Sequence, residues 1–229
     1  MNKFICTRSL MAALLFTLSP FALADEPIDI LRENIARGIG VLEDPQYEVN
    51  GNRDVQLDKL CEITMEIFDA KLFTRLALTS DWKRFSTEEQ TEFVDVFATF
   101  LCRYYLTRMQ DRYDGQRIEF TEQTFKSDTR VSVGADVIWQ GLEIPIEVRM
   151  VLRHEKWTAY DLVVAGVSAV ILYRAQFRSV LRDGTPADLI DTIKQKTPAT
   201  AYAGAVDSSV PATPAEPDPG PEGSERSET

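Results

Sequence analysis

Two neighbouring stretches of strict alternation constrain this chain more than any other feature. Apolar residues occupy every second position from Val131 to Trp139 and again from Leu142 to Leu152. A period of two is typical of strands buried on one face, and Gln140-Gly141 between the two stretches favours a tight hairpin turn. The sequence therefore predicts an antiparallel pair of strands with one apolar face and one solvated face.

Two further strands are predicted beside this pair. The segment from Arg117 to Phe125 precedes it, and the segment from Trp157 to Val164, which is rich in aromatic and β-branched residues, follows it. Because the connections between the four segments are short, the sequence predicts about four strands in a consecutive antiparallel meander.

The first half of the chain has helical periodicity instead. Apolar residues at spacings of three and four predict one helix around Leu31, a second around Leu60 and a shorter third over 72–78. Ser86-Thr-Glu-Glu89 matches a capping box, in which a Ser hydroxyl and a Glu carboxylate satisfy free amides at a helix start. It predicts a long helix that ends near Arg112, before Asp114-Gly115.

Two more helices are predicted after the last strand. Val170, Tyr173, Phe177 and Leu181 form an apolar stripe, and Thr185-Pro186 begins a final helix because Pro is favoured at the first helical position. The fold class is therefore α+β, with helices packed on a single curved antiparallel sheet.

Both ends of the chain differ from its middle. Residues 1–24 combine a basic start, a short apolar run and small residues around Leu23, which predicts a cleaved signal peptide rather than a membrane anchor. From Thr197 to Thr229 proline, alanine, serine and glutamate dominate, which predicts a disordered tail. Residues 25–196 remain as one domain.

Charge excludes one class of function. The net charge is -11, and removal of residues 1–24, which hold two basic residues and no acidic one, makes it -13. Such a chain has no excess of basic residues to offset repulsion by phosphates, so we expect no nucleic-acid binding. No later segment is long and apolar enough to span a bilayer, so we expect no permanent membrane insertion.

The sequence offers few candidates for catalysis. The one histidine, His154, lies in a predicted turn, and Ser168 lacks the second glycine of a nucleophile elbow, so a helix cap is its expected role. No phosphate-binding glycine loop or metal-ligand spacing occurs, so we expect no cofactor and no metal. Cys61 and Cys102 fit either a disulfide of an exported protein or two buried thiols.

Several motifs together resemble one family. Trp157-x-x-Tyr160-Asp161 is followed by Gly166-Val-Ser168 and then by Tyr173-Arg-x-Gln-Phe177. Ile67-Phe-Asp69 and the segment 82–90 precede them in the chain. These motifs, in this order, resemble the MlaC family, also called the toluene-tolerance or ABC-transporter auxiliary family, over roughly Asp54 to Ile193.

The resemblance implies a fold and a function. The fold would be a cone like that of nuclear transport factors, with an internal apolar cavity between sheet and helices. The function would be that of a soluble periplasmic carrier, not an enzyme, that shuttles phospholipid and so maintains outer-membrane lipid asymmetry. Its partners would be an inner-membrane ABC transporter with its substrate-binding domain protein and an outer-membrane lipoprotein complex.

The resemblance also implies that some of the apolar residues contact lipid acyl chains. The candidates are Phe93, Phe97, Leu101, Tyr105, Val133, Val137, Ile146, Val148, Met150, Trp157, Val163, Val167, Val170 and Ile171. Periodicity does not separate residues that line a cavity from residues of a packed core. Two alternatives stay open at this point: a carrier of another apolar lipid such as a hopanoid, and a cone-fold enzyme on a small hydrophobic substrate.

Overall fold

The computed structural model of the chain describes residues 26–48 and 52–197. The predicted signal peptide and the predicted tail after Thr197 lie outside these residues. Thr197 itself belongs to the domain: it is the C-cap of the last helix, is buried, and donates a hydrogen bond from Oγ1 to the Ile193 carbonyl at 2.9 Å.

Within the described residues the structure has six helices and one five-stranded antiparallel sheet, which confirms the α+β class. The helices are α1 (Pro27–Leu42), α2 (Arg53–Ile67), α3 (Ala70–Leu78), α4 (Thr87–Arg112), α5 (Ala169–Leu181) and α6 (Pro186–Lys196). The strands, in sheet order, are β1 (Arg117–Ser127), β2 (Arg130–Trp139), β3 (Leu142–Arg153), β4 (Lys156–Val164) and β5 (Val167–Ser168). The four predicted strands are present, and the sequence missed only the two-residue β5.

The local sequence signals act as expected. Ser86 and Glu89 form the capping box of α4, and Thr185 and Asp188 form another at the start of α6. Because the Thr185 backbone and hydroxyl donate hydrogen bonds to Asp188, the pKa of this carboxyl is held below its usual value. Gln140-Gly141 makes the hairpin turn with positive φ at both residues, which is the turn that suits the twist of the strands.

The core is divided into two clusters. The helical cluster, formed by α3 to α6, surrounds Phe97, whose ring lies 4.9 Å from Tyr173 and 5.2 Å from Phe177, centroid to centroid. The sheet cluster consists of Val131, Val133, Met150, Trp157 and Ala159 with Leu31 of α1. Phe68 packs against both clusters, and the following amide, that of Asp69, donates a hydrogen bond to the Ala159 carbonyl at 2.8 Å.

A disulfide joins Cys61 of α2 to Cys102 of α4, with the two Cα atoms 5.5 Å apart. The sequence left open whether these cysteines form a disulfide or stay as two buried thiols. It could not decide, because the Cα separation that a disulfide requires depends on how the two helices pack. Arg103 and Asp58 form an ion pair between the same helices, and Gln110 donates a hydrogen bond to Gln56. The disulfide therefore lies within a continuous contact between α2 and α4.

Candidate functional site

The inner face of the sheet changes character along its length. We define this face by the alternating apolar residues from Val131 to Trp139 of β2 and by the β3 residues that pair with them, from Met150 to Leu142. Along β3 the side chains of this face pass from fully buried at Met150, which is 0% exposed, to 63% exposed at Leu142. The same face is therefore covered at one end and open at the hairpin end.

The covered half, which consists of the inner-face residues of the sheet cluster, is closed by helices. Leu31 of α1 packs against it, and Ile28, Ile67 and Phe68 contact its margin. Arg32 of α1 places its guanidinium 5.2 Å from the ring centroid of Phe120 on β1. Packing of this kind leaves no room for a ligand without displacing side chains.

The uncovered half is the remainder of the same face. It consists of Val137, Trp139, Leu142, Ile144 and Ile146, none of which is fully buried. The Trp139 Nε1 donor is shielded from solvent and has no hydrogen-bond acceptor among the described residues. Four of these apolar side chains are partly exposed and Leu142 is exposed, so this half of the face is the candidate binding surface.

Exposed apolar residues also occur outside the inner face of the sheet. Tyr105 and Met109 lie one turn apart on α4, and both are exposed. Leu162, Val167, Ile171 and Leu172 are exposed along the single stretch that forms the end of β4, β5 and the first turn of α5. The exposed apolar surface is therefore distributed over the sheet, α4 and α5.

A hydrogen bond of 3.0 Å between the Tyr105 and Tyr173 hydroxyls joins α4 to α5 beside these residues. Burial, and after it the proximity of Tyr105, raises the pKa of Tyr173 well above its usual value. The Tyr173 hydroxyl therefore stays neutral and serves as a hydrogen-bonding group.

A buried carboxylate fixes the start of α5. Asp161 is 3% exposed and accepts hydrogen bonds from Ser168 Oγ at 2.7 Å, from the Val170 amide at 3.0 Å and from Arg149 Nη1 at 3.1 Å. Ser168 Oγ also accepts from the Ile171 amide, so this serine is the helix cap that the sequence predicts. The position of Ile171 and Leu172 relative to the sheet therefore depends on Asp161.

The network continues on the outer face of the sheet. Glu147 accepts hydrogen bonds from Ser132 Oγ at 2.7 Å and from Arg149 Nε at 3.0 Å, and these contacts lower its pKa. The hydrogen bond that Arg149 donates to Glu147 in turn raises the pKa of the Arg149 guanidinium. The outer face is thus not uniformly solvated as the alternation predicts, since α5 covers Asp161 and the neighbouring Val163.

The fourteen predicted site residues fall in five places. Phe93, Phe97, Leu101 and Val170 belong to or pack against the helical cluster, and Val133, Val148, Met150 and Trp157 belong to or contact the covered half. Val137 and Ile146 lie in the uncovered half, while Tyr105, Val167 and Ile171 are exposed nearby. Val163 points to the outer face, because it pairs with Glu147 beyond an irregularity that shifts the register between β3 and β4.

The sequence prediction missed several members of the apolar surface. Trp139, Leu142 and Ile144 carry the same alternation as the residues that were selected, so the signal for them was present. Leu162 and Met109 had no such signal, since their exposure depends on which part of the sheet the helices leave open.

Two depressions in the described part of the chain are an open groove beside Thr87, Glu88 and Asp95 at the start of α4 and a void beside Arg174 and Thr79 that has no room for a water molecule. An internal apolar cavity between sheet and helices stays a prediction. The apolar surface that the structure shows is an open face.

No group of histidine, cysteine and carboxylate side chains that could hold a metal ion occurs in residues 26–48 and 52–197. Among the helices of these residues, none combines the length and the hydropathy that crossing a bilayer requires. His154 is exposed and has positive φ in the turn between β3 and β4, in agreement with a solvated turn residue.

Comparison with known proteins agrees with the fold and identifies the family. A phospholipid-binding protein from Ralstonia solanacearum, solved in complex with a phospholipid, superimposes with a TM-score of 0.65 at 20% identity, over 74% of this chain and 95% of that protein. The toluene tolerance protein ttg2D of Pseudomonas putida is 25% identical over 186 residues, which are 78% of this chain and 86% of that protein. The sequence profile of the family described as MlaC protein matches residues 32–195, which is most of the chain, and this chain therefore belongs to the MlaC family.

Proposed function

We propose that this protein is a periplasmic carrier that binds the acyl chains of a phospholipid on the uncovered half of the sheet. The observation that supports this proposal most is the exposure gradient along β3, from Met150 to Leu142. A sheet face whose only purpose is packing would be covered along its whole length. Here about half of an unbroken apolar face is only partly covered, and Leu142 at its end is exposed.

The energetics of lipid transfer favour such a surface. Exposing two chains of about 16 carbons to water costs on the order of 25 kcal/mol, at about 0.8 kcal/mol for each CH₂ group. A phospholipid therefore does not cross an aqueous compartment unaided. An apolar face that contacts the chains removes a large part of this cost and needs neither a metal nor a catalytic group.

Family membership supports the choice of cargo. The Ralstonia solanacearum protein of similar fold was solved with a phospholipid bound. Tyr105 is exposed, and its hydroxyl forms a hydrogen bond with that of Tyr173. In our proposal Tyr105 offers a hydrogen-bonding group to ester or headgroup oxygens of the lipid.

Cellular context completes the proposal. Residues 1–24 would direct export to the periplasm and be cleaved there. The carrier would exchange lipid with an inner-membrane ABC transporter, through its substrate-binding domain protein, and with an outer-membrane lipoprotein complex. By moving phospholipid between the two membranes it would maintain the lipid asymmetry of the outer membrane, without catalysing a reaction.

The test is the identity of the bound molecule. We expect residues 25–229, purified from a bacterial host without detergent, to carry about one two-tailed phospholipid per chain, identified by native mass spectrometry and by extraction. A polycyclic lipid in its place would support a hopanoid carrier instead. Folded protein that contains no lipid and binds no added phospholipid would contradict the proposal.

A further inference from the structure

A cluster of basic residues forms a second surface feature of the molecule. Its residues come from α5 and from the 3₁₀ segment Thr79–Arg84, which follows α3. We define the basic surface as Lys83, Arg84, Arg174, Arg178 and Arg182. The only acidic residues of these segments are Asp81 and Asp183, whereas the whole chain has 36 acidic and 25 basic residues.

The three α5 arginines form one stripe. Arg174, Arg178 and Arg182 are four residues apart, so they lie on one side of the helix, over about 12 Å at 1.5 Å per residue. Ile171, which is 58% exposed, precedes them by three residues on the same side. The stripe therefore begins next to the exposed apolar residues at the start of α5.

Contacts place the 3₁₀ segment beside this stripe. Arg84 donates hydrogen bonds to the carbonyls of Leu181 and Gly184, both at 2.8 Å, at the end of α5. Arg174 Nη2 donates to the Leu76 carbonyl at 3.0 Å, and Arg174 and Arg178 line one small void together with Asp81. The five basic side chains thus belong to one continuous region of the surface.

Most of these charges are not neutralised inside the protein. Arg84 pairs with Asp81 at 3.3 Å, but no carboxylate of the described residues forms an ion pair with Lys83, Arg174, Arg178 or Arg182. Elsewhere seven of the eleven described arginines form such pairs, as in those of Arg37 with Glu66 and of Arg53 with Asp111. The negative end of the α5 dipole accounts for Arg178 and Arg182, and the Leu76 carbonyl in the last turn of α3 accounts for Arg174. Neither accounts for Lys83, which is exposed.

We propose that this basic surface is a docking site for an acidic patch on a partner protein. Unpaired arginines at an interface match carboxylates in charge and in geometry, and they accelerate association by steering the encounter. A flat anionic bilayer fits less well, because it would bring acidic parts of this strongly acidic chain close to lipid phosphates as well.

Cross-linking locates the docking site without knowledge of the partner. The probe is an acetylated oligoglutamate peptide whose carboxyl groups are activated before mixing with the full mature chain at low ionic strength. We expect amide cross-links to concentrate at Lys83 and to exceed those at Lys126 and Lys156, which are exposed near the ends of β1 and β4. Equal labelling of these lysines would overturn the proposal.

Charge variants provide the matched comparison. The double substitution Arg178→Glu with Arg182→Glu should weaken binding of a fluorescent oligoglutamate peptide at least about tenfold. The control, Lys126→Glu with Arg130→Glu, makes the same change in net charge elsewhere and should have a much smaller effect. Arg178→Gln with Arg182→Gln, which is less disruptive to α5, should show an intermediate loss with an unchanged thermal midpoint.

Three outcomes would contradict the assignment. Equal losses in the two double variants would show that net charge alone governs binding. Binding to phosphatidylglycerol vesicles without binding to the peptide would assign the surface to membranes. Salt-dependent self-association that the Arg178 and Arg182 substitutions abolish would assign it to a second copy of the chain. None of these measurements depends on bound lipid, so they remain informative if the carrier proposal fails.

Discussion

The covered and uncovered halves of the sheet's inner face have the same kind of sequence and different surroundings. Val131 and Val133 in one half and Val137 in the other follow the same alternation on β2. The first two are buried under helices, whereas Val137 is partly exposed. Apolar alternation thus shows that a strand face requires an apolar neighbour, and it does not show whether that neighbour is protein.

The two halves differ in what their burial stabilises. In the covered half, contacts with Leu31 and Phe68 form when the chain folds, so they contribute to the free energy of folding. In the uncovered half, the corresponding contacts would form only when a ligand is present, so they would contribute to binding. This division makes folding and lipid binding separable by substitution.

The largest expected difference comes from two residues on the same face of β3. Met150→Ala should lower the free energy of unfolding by about 2 to 5 kcal/mol, because Met150 is fully buried and its truncation leaves a cavity. Ile144→Ala, in the partly exposed half, should cost less than about 1 kcal/mol. Urea denaturation of lipid-free protein measures both values. Similar losses in the two variants would show that the halves are equally packed.

Removal of the disulfide is expected to have the next largest effect, which should lower stability and leave lipid content unchanged. Replacing Cys61 and Cys102 by serine removes a link between residues 41 apart in sequence, which should cost about 2 to 4 kcal/mol of stability. Since α2 and α4 also contact each other through Arg103 and Asp58, lipid content should be unchanged in the protein that remains folded. The comparison is made by urea denaturation and lipid extraction of the same preparation, and a selective loss of lipid would contradict it.

A smaller, pH-dependent effect is expected on the outer face. Because Ser132 and Arg149 lower the pKa of Glu147 below 4.5, the ionised carboxylate adds stability at neutral pH. This contribution is lost as the pH falls through the lowered pKa. Ser132→Ala should therefore be less stable than the parent chain at neutral pH, and the difference should shrink under acid conditions. Urea titrations at several pH values test this, and a pH-independent difference would exclude the hydrogen bond as its cause.

Local sequence signals were sufficient for most of the fold. The capping box at Ser86, the turn at Gln140-Gly141 and the alternation of β2 and β3 each act between residues close in the chain, and all are present in the structure. The disulfide could not be predicted, because it depends on the packing of α2 on α4. The two-residue β5 is too short to produce a period.

The site was harder to predict, because coverage by helices is a property of the whole domain. Phe97 and Val137 both satisfied the criterion of an inward apolar position. The structure places Phe97 among aromatic rings of the helical cluster and Val137 at the open end of the sheet. Nor does a pattern in β3 indicate that Arg149, on the outer face, pairs with both Glu147 and Asp161.

The most direct test of the account measures lipid content and stability on the same samples of three variants. Val137→Asn with Ile144→Asn places two amides at a cross-strand pair of the uncovered half, Val133→Asn places one in the covered half, and Glu143→Gln changes an exposed outer-face residue. We predict that the first variant stays folded and loses its phospholipid. The second should lose stability, by roughly 1 to 3 kcal/mol or more, and the third should match the parent chain in both respects. Retention of a full complement of phospholipid by the folded Val137 and Ile144 variant would contradict the claim that the uncovered half holds the lipid.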